Sequence, residues 1–203
     1  MTTGWRCELH GAVAPLMAMT HLTSQWVAHI AKTSAVPLWM PWPLPTGWTV
    51  TGAVATSDTP GLAPPPGAAT ALVCTGPGAR SGPAELVLVS EEPGVGLGAG
   101  YAGLQGPDAG SSLPTGAPAT RVVANGHEVP LWEVDQDGPA RSNGGDRSIY
   151  VGEAEGCWLW AVAWPMEAGL LLYDSLRLVD LRDPGLILDV PLGAMSPRWR
   201  PGQ

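Results

Sequence analysis

The sequence predicts an α+β fold, in which a mostly antiparallel sheet of about six to eight strands carries one N-terminal helix and a rigid strap rich in proline and tryptophan. Three observations predict it. Short apolar runs are separated by Gly/Pro-rich segments, and the 203-residue chain holds 27 Gly and 22 Pro. Helical periodicity is clear in only one segment. Residues 36–48, Val-Pro-Leu-Trp-Met-Pro-Trp-Pro-Leu-Pro-Thr-Gly-Trp, interleave three tryptophans with four prolines. Proline fixes φ, lacks an amide donor and pushes the preceding residue to extended conformations, so this stretch excludes helix and disfavours a central strand. Trp39, Trp42 and Trp48 cost free energy if left in water, so the strap is expected to lie across a sheet with its indoles inserted. The expected division is an N-terminal appendage over residues 1–35, made of a half zinc-ribbon-like hairpin plus the helix. A sheet domain over 36–193 and a tail over 194–203 follow.

Taken in order, Cys7 and His10 form a Cys-x-x-His followed directly by Gly11, the spacing of one knuckle of a zinc ribbon. A structural zinc takes four ligands, so the metal needs a second pair from a partner, from His21 or Cys74, or from upstream sequence. Thr23 is placed to cap a helix over residues 23–32, with Leu22 as its staple and Trp26, Val27, Ile30 and Ala31 as its apolar stripe. Residues 48–55 and 68–75 read as a hairpin, and 84–90, a continuous apolar run, as a strand buried on both faces.

Glu91 and Glu92 come next, then glycine at every second position from Gly94 to Gly100. Glycines after a strand invite a dinucleotide reading. The fingerprint must open a helix, which alternating glycines and Pro93 disfavour, so a flexible loop is expected. Asn125-Gly126, between apolar runs at 120–124 and 127–134, is a strong hairpin signal. Residues 135–148 read as a mobile loop whose Asp135, Asp137 and Asp146 lack calcium-loop spacing. In the run 157–164, alternation puts Trp158, Trp160, Val162 and Trp164 on one face and Leu159, Ala161 and Ala163 on the other. Residues 170–173 continue as its hairpin partner, 174–182 fit either a short helix or a strand, and 186–190 form a last short strand.

These stretches carry a resemblance. Residues 37–48, 85–92 and 94–103, Trp158-Leu-Trp160 with Trp164-Pro165, Tyr173-Asp174, Leu181-Arg-Asp183 and Ser196-Pro-Arg198 resemble an uncharacterised actinobacterial family, a domain of unknown function with an N-terminal zinc-ribbon-like segment. The resemblance implies a Cys-x-x-Cys ahead of the Cys7/His10 segment, completing a ribbon, and this chain lacks that pair. It implies no activity. The order of strap, sheet, Asn-Gly turn and Trp-bearing strand is also similar in pattern to half-barrel domains of bacterial lipoprotein carriers and envelope regulators.

A formal charge of −8 with ten Lys and Arg excludes general affinity for nucleic acid or anionic lipid, both of which need clustered cations. No run approaches the roughly 18 apolar residues of a membrane span. Three widely spaced cysteines make no disulfide framework and fit a reducing cytoplasm. No Gly-x-Ser-x-Gly, His-Glu-x-x-His or phosphate-binding loop occurs, and Cys74 and Cys157 fall in apolar strands where a thiol is inert. The expected function is a non-catalytic cytoplasmic binding or regulatory module for a protein partner or small apolar ligand, without a cofactor unless the missing zinc ligands are supplied. Ten tryptophans exceed what a core of this size needs, so some are expected at a groove beside the Gly-rich segment, formed by Glu91, Glu92, Gly96, Gly98, Tyr101, Trp158 and Trp160. The alternative is an enzyme using Glu91, Glu92 or His127 in that groove.

Overall fold

The computed structural model describes residues 6–7, 11–12, 22–56, 67–78, 82–104, 113, 115–134, 146–184 and 189–196. The apolar runs become strands β1 (Arg6–Cys7), β2 (Gly11–Ala12), β3 (Trp39–Pro41), β4 (Thr49–Ala55), β5 (Ala69–Pro77), β6 (Pro83–Glu91), β7 (Thr120–Ala124), β8 (His127–Glu133), β9 (Ser148–Ala154), β10 (Cys157–Trp164) and β11 (Arg177–Asp180). Helix α1 spans Ser24–Thr33, α2 spans Leu97–Ala102, and a 3-10 helix spans Met166–Tyr173. Strands β1 and β2 pair with each other, while the other nine form one sheet in the order β3-β11-β7-β8-β9-β10-β6-β5-β4. The sheet is mixed, because β11 runs parallel to β7 while every other pair is antiparallel.

Local chemistry explains the hairpins. Asn125 and Gly126 both take left-handed φ, 46° and 85°, as a two-residue turn between right-twisted strands requires. Glu155 and Gly156, at 54° and 78°, do the same between β9 and β10.

The sheet curls on itself. Pro37, just before one terminal strand, accepts a hydrogen bond from Thr70 Oγ1 on β5 at 2.5 Å, and β3 lies against β5 and β6 although they stand at opposite ends of the strand order. The enclosed face buries Leu38, Trp39, Met40, Trp48, Leu72, Leu86, Leu88 and Leu159 with Val27 and Ile30 of α1. Thr23 Oγ1 caps α1 by accepting the amide of Trp26 at 3.2 Å, and Trp26 Nε1 donates to the carbonyl of Ala53 on β4. The helix therefore shares the sheet's core. On the outer face Val87, Val89, Trp160, Val162 and Trp164 pack beneath α2.

Three expectations change and one open alternative is resolved. Within the Pro/Trp stretch only Trp39–Pro41 is strand, with a bend at Trp42 and Pro43 and a turn at Thr46 and Gly47 after it, and that strand is the sheet's terminal one, not a strap laid over it, since only one neighbour needs its backbone groups. Residues 170–173 belong to the 3-10 helix, not a hairpin partner for β10; that partner is β9, which begins at Ser148, the last residue of the segment read as loop. Gly169 lets the helix close onto Ser148 Oγ, where a Cβ would overlap. Within 174–182 the strand wins, as β11. Residues 194–196, expected as tail, continue the fold: next to them Gly193 donates to the carbonyl of Val50 at 2.8 Å, and Ser196 hydrogen bonds to the buried carboxylate of Glu85. Residues 186–188 lie outside the described residues, as do 135–145.

Candidate functional site

The residues singled out around the Gly-rich segment are brought together, though as a packed contact. Register opposes Trp158 of β10 to Glu91 of β6, and Trp160 to Val89, so both indoles and the Glu91 carboxylate share the outer face. Glu91 is fully buried, and its Oε2 accepts the amides of Leu97 at 2.6 Å and Gly98 at 3.2 Å, the first two residues of α2. A carboxylate satisfying the orphan amides of a first turn stabilises a helix that its glycines oppose. This is why the expected loop is a helix. It also fills the terminus that a pyrophosphate would need.

Gly96 precedes α2 with φ of 83°, a backbone that favours glycine. Gly98 lies against the pyrrole edge of Trp160, where a Cβ would overlap ring atoms. Tyr101 is half-buried, and its carbonyl accepts Arg147 Nη1 at 3.0 Å; the Arg147 guanidinium sits 4.9 Å from the centroid of the Trp164 ring. Trp158 is half-buried and Trp160 fully buried. Glu91, Gly98 and Trp160 thus build a closed wall, not an open groove, because α2 rests on them.

The enzyme residues do not converge. Glu92 is exposed, and its neighbour Glu91 is locked under α2. His127 is exposed beside the β7–β8 turn, with β9 and β10 between its strand and β6. Cys74 and Cys157 are free; burial pushes both thiols up, and for Cys157 Glu92 and Glu155 push the same way against Ser90 and Arg182. Neither is a poised nucleophile. Cys7 pairs through its backbone with Gly11, while His10 lies outside the described residues, so the zinc half-site has no geometry to report. Among the described residues no three His, Cys, Asp or Glu side chains gather as a metal site.

Sequence reasoning missed two features. The first is a polar cluster where the β7–β8 and β9–β10 turns meet the end of β11. Asp180, only 7% exposed in its side chain, accepts the amides of Leu38 and Arg182 through Oδ1 at 3.1 and 3.0 Å and pairs with the Arg182 guanidinium through Oδ2 at 2.7 Å. Arg182 also donates to the carbonyl of Ala35, and its Nη2 lies 3.5 Å from Glu155, which accepts Asn125 Nδ2 at 2.7 Å. Each acceptor in the cluster is engaged by the fold itself. The second is the 3-10 helix, which carries all the exposed large hydrophobic side chains of the described residues: Met166 at 49%, Leu170 at 61% and Tyr173 at 48%. Its 4-then-3 spacing was visible in the sequence, but the apolar run at 170–173 also fits a strand and was read as one.

The fold and these sites define a curled mixed-sheet protein with a buried Glu/Trp contact on one face and an apolar ridge at the other. Residues 1–199 match the family described as "Family of unknown function (DUF6758)", and the chain belongs to that family. No curated protein and no solved structure matches it.

Proposed function

We propose that this protein is a cytoplasmic, non-catalytic binding module that docks a protein partner through the ridge Met166, Leu170 and Tyr173. The observation that carries the reading is the concentration of exposed large hydrophobics on one eight-residue 3-10 helix. Scattered exposed apolar residues need no explanation, whereas a cluster marks a contact surface. At three residues per turn Leu170 and Tyr173 fall in one row, while Ala168, Gly169 and Leu172 anchor the underside. Tyr173 meets Tyr150 edge-on, ring centroids 6.2 Å apart, so the ridge is already ordered. Side chains half exposed on a helix fit a partner's pocket; a small ligand is instead held in a concave site.

The free thiols Cys74 and Cys157 support the compartment, and among the described residues no helix is long and apolar enough to cross a membrane. Zinc enters this reading only if a second ligand pair joins Cys7 and His10.

Leu170→Asp tests it. A partner retained by the immobilised wild type should bind the variant at least about 30-fold more weakly, as for a central anchor worth about 2 kcal/mol, with the melting temperature unchanged. Equal retention by a folded variant rejects the ridge as the docking surface.

A further inference from the structure

Helix α2 has six residues, two of them glycine, and would not stand by its own propensity. Charged side chains hold it at both ends: Glu91 on the amides of Leu97 and Gly98, Arg147 on the carbonyl of Tyr101. Glycines in the left-handed region flank it, Gly94 and Gly96 before and Gly103 after, at φ of 88°, 83° and 73°. Such a segment is gripped from both ends and flanked by glycines able to pivot.

Beneath it lies an unpaid requirement of the chemistry. Trp160 is fully buried with its Nε1 against Gly98, and that N–H has no acceptor; the buried Nε1 of Trp158, two residues earlier on the same face, has none either. Buried donors are almost always paired, and two adjacent indole donors left without acceptors under one short helix mark a place built for something more than packing. We propose that α2 is a lid pivoting on Gly94, Gly96 and Gly103, and that the indole face it covers binds a flat apolar molecule carrying a hydrogen-bond acceptor, a carboxylate or sulfonate taken up by Trp158 and Trp160. Val87 and Val89 on the neighbouring strand supply the apolar floor. The proposal does not rest on the docking ridge, which lies on the enclosed side of the sheet, whereas α2 lies on the outer one.

The probe is 1-anilinonaphthalene-8-sulfonate, a flat apolar molecule with a sulfonate acceptor. Native-state hydrogen exchange on the wild type should show the amides of Leu97, Gly98 and Gly100 opening at least about 100-fold more often than those of β6 and β10, as a lid opening apart from the sheet must. Glu91→Gln replaces a charged acceptor with a neutral one and should raise the open population, and with it probe affinity and acrylamide quenching of tryptophan, about tenfold. Adding Trp160→Phe should remove most of the gain in probe affinity. Protection of α2 equal to that of β6 and β10 in the wild type overturns the lid, and it does so whether or not Glu91→Gln folds. A folded Glu91→Gln that binds no more probe than the wild type, or probe binding indifferent to Trp160→Phe, overturns the site.

Discussion

Gly152→Ala should lower stability by about 3 kcal/mol, seen as a fall of roughly 1.5 M in the urea midpoint at a slope near 2 kcal/mol/M. Gly152 is buried on β9, and a Cβ there would overlap the carbonyl oxygen of Pro130 and stand 2.8 Å from Leu131 Cδ2. A side chain could rotate away; a backbone carbonyl in a sheet cannot. Moving β8 outward would strain the pairs Trp132↔Val151 and Glu133↔Tyr150, which join the β7–β8 hairpin to the rest of the sheet. A midpoint unchanged within error would mean that β8 does not approach β9 this closely.

Asp180→Ala should cost about 3–5 kcal/mol, the range for removing one partner of a buried ion pair. The loss would leave the buried amide of Leu38 without its acceptor and the Arg182 guanidinium without its carboxylate. Asp180→Asn should cost less, because its Oδ1 can still accept both amides while the pairing with Arg182 weakens. The ordering of the three proteins in a denaturant series is the check. A cost below about 1 kcal/mol for the alanine variant, typical of an exposed pair, would show that this cluster does not hold β3 against β11.

The elements that could be read from sequence were those whose signal is local. Thr23 with the stripe Trp26, Val27, Ile30 and Ala31 is enough for α1, and Asn125-Gly126 for the β7–β8 hairpin, because capping and left-handed turns are set within a few residues. What could not be read depends on distant partners. Nothing local to residues 97–102 reveals that Glu91 and Arg147 grip a helix there, and glycine content argues against one. The parallel pairing of β11 with β7 and the curl that brings Pro37 to Thr70 are likewise properties of the assembled sheet.

Tryptophan content overstated the exposed aromatic surface for a similar reason. A sheet buried on both faces needs more large side chains than a one-sided one, and Trp39, Trp48, Trp160 and Trp164 are all spent there. None of the eight tryptophans among the described residues is exposed: Trp26, Trp42, Trp132 and Trp158 are half-buried. The exposed apolar surface falls on Met166, Leu170 and Tyr173 instead. For the Gly-rich segment, the structure brings Glu91, Gly98, Trp158 and Trp160 together, but the register that closes them into a wall emerges only in the sheet.

The most direct test of the binding reading places a photo-reactive amino acid at position 170 and, as a control, at exposed position 127 beside the β7–β8 turn, and irradiates each protein in lysate of its source cells. The account predicts a discrete cross-linked species from position 170 that is absent from position 127 and disappears when unlabelled wild type is added in excess. No discrete species from position 170, or the same products from both positions, would contradict it.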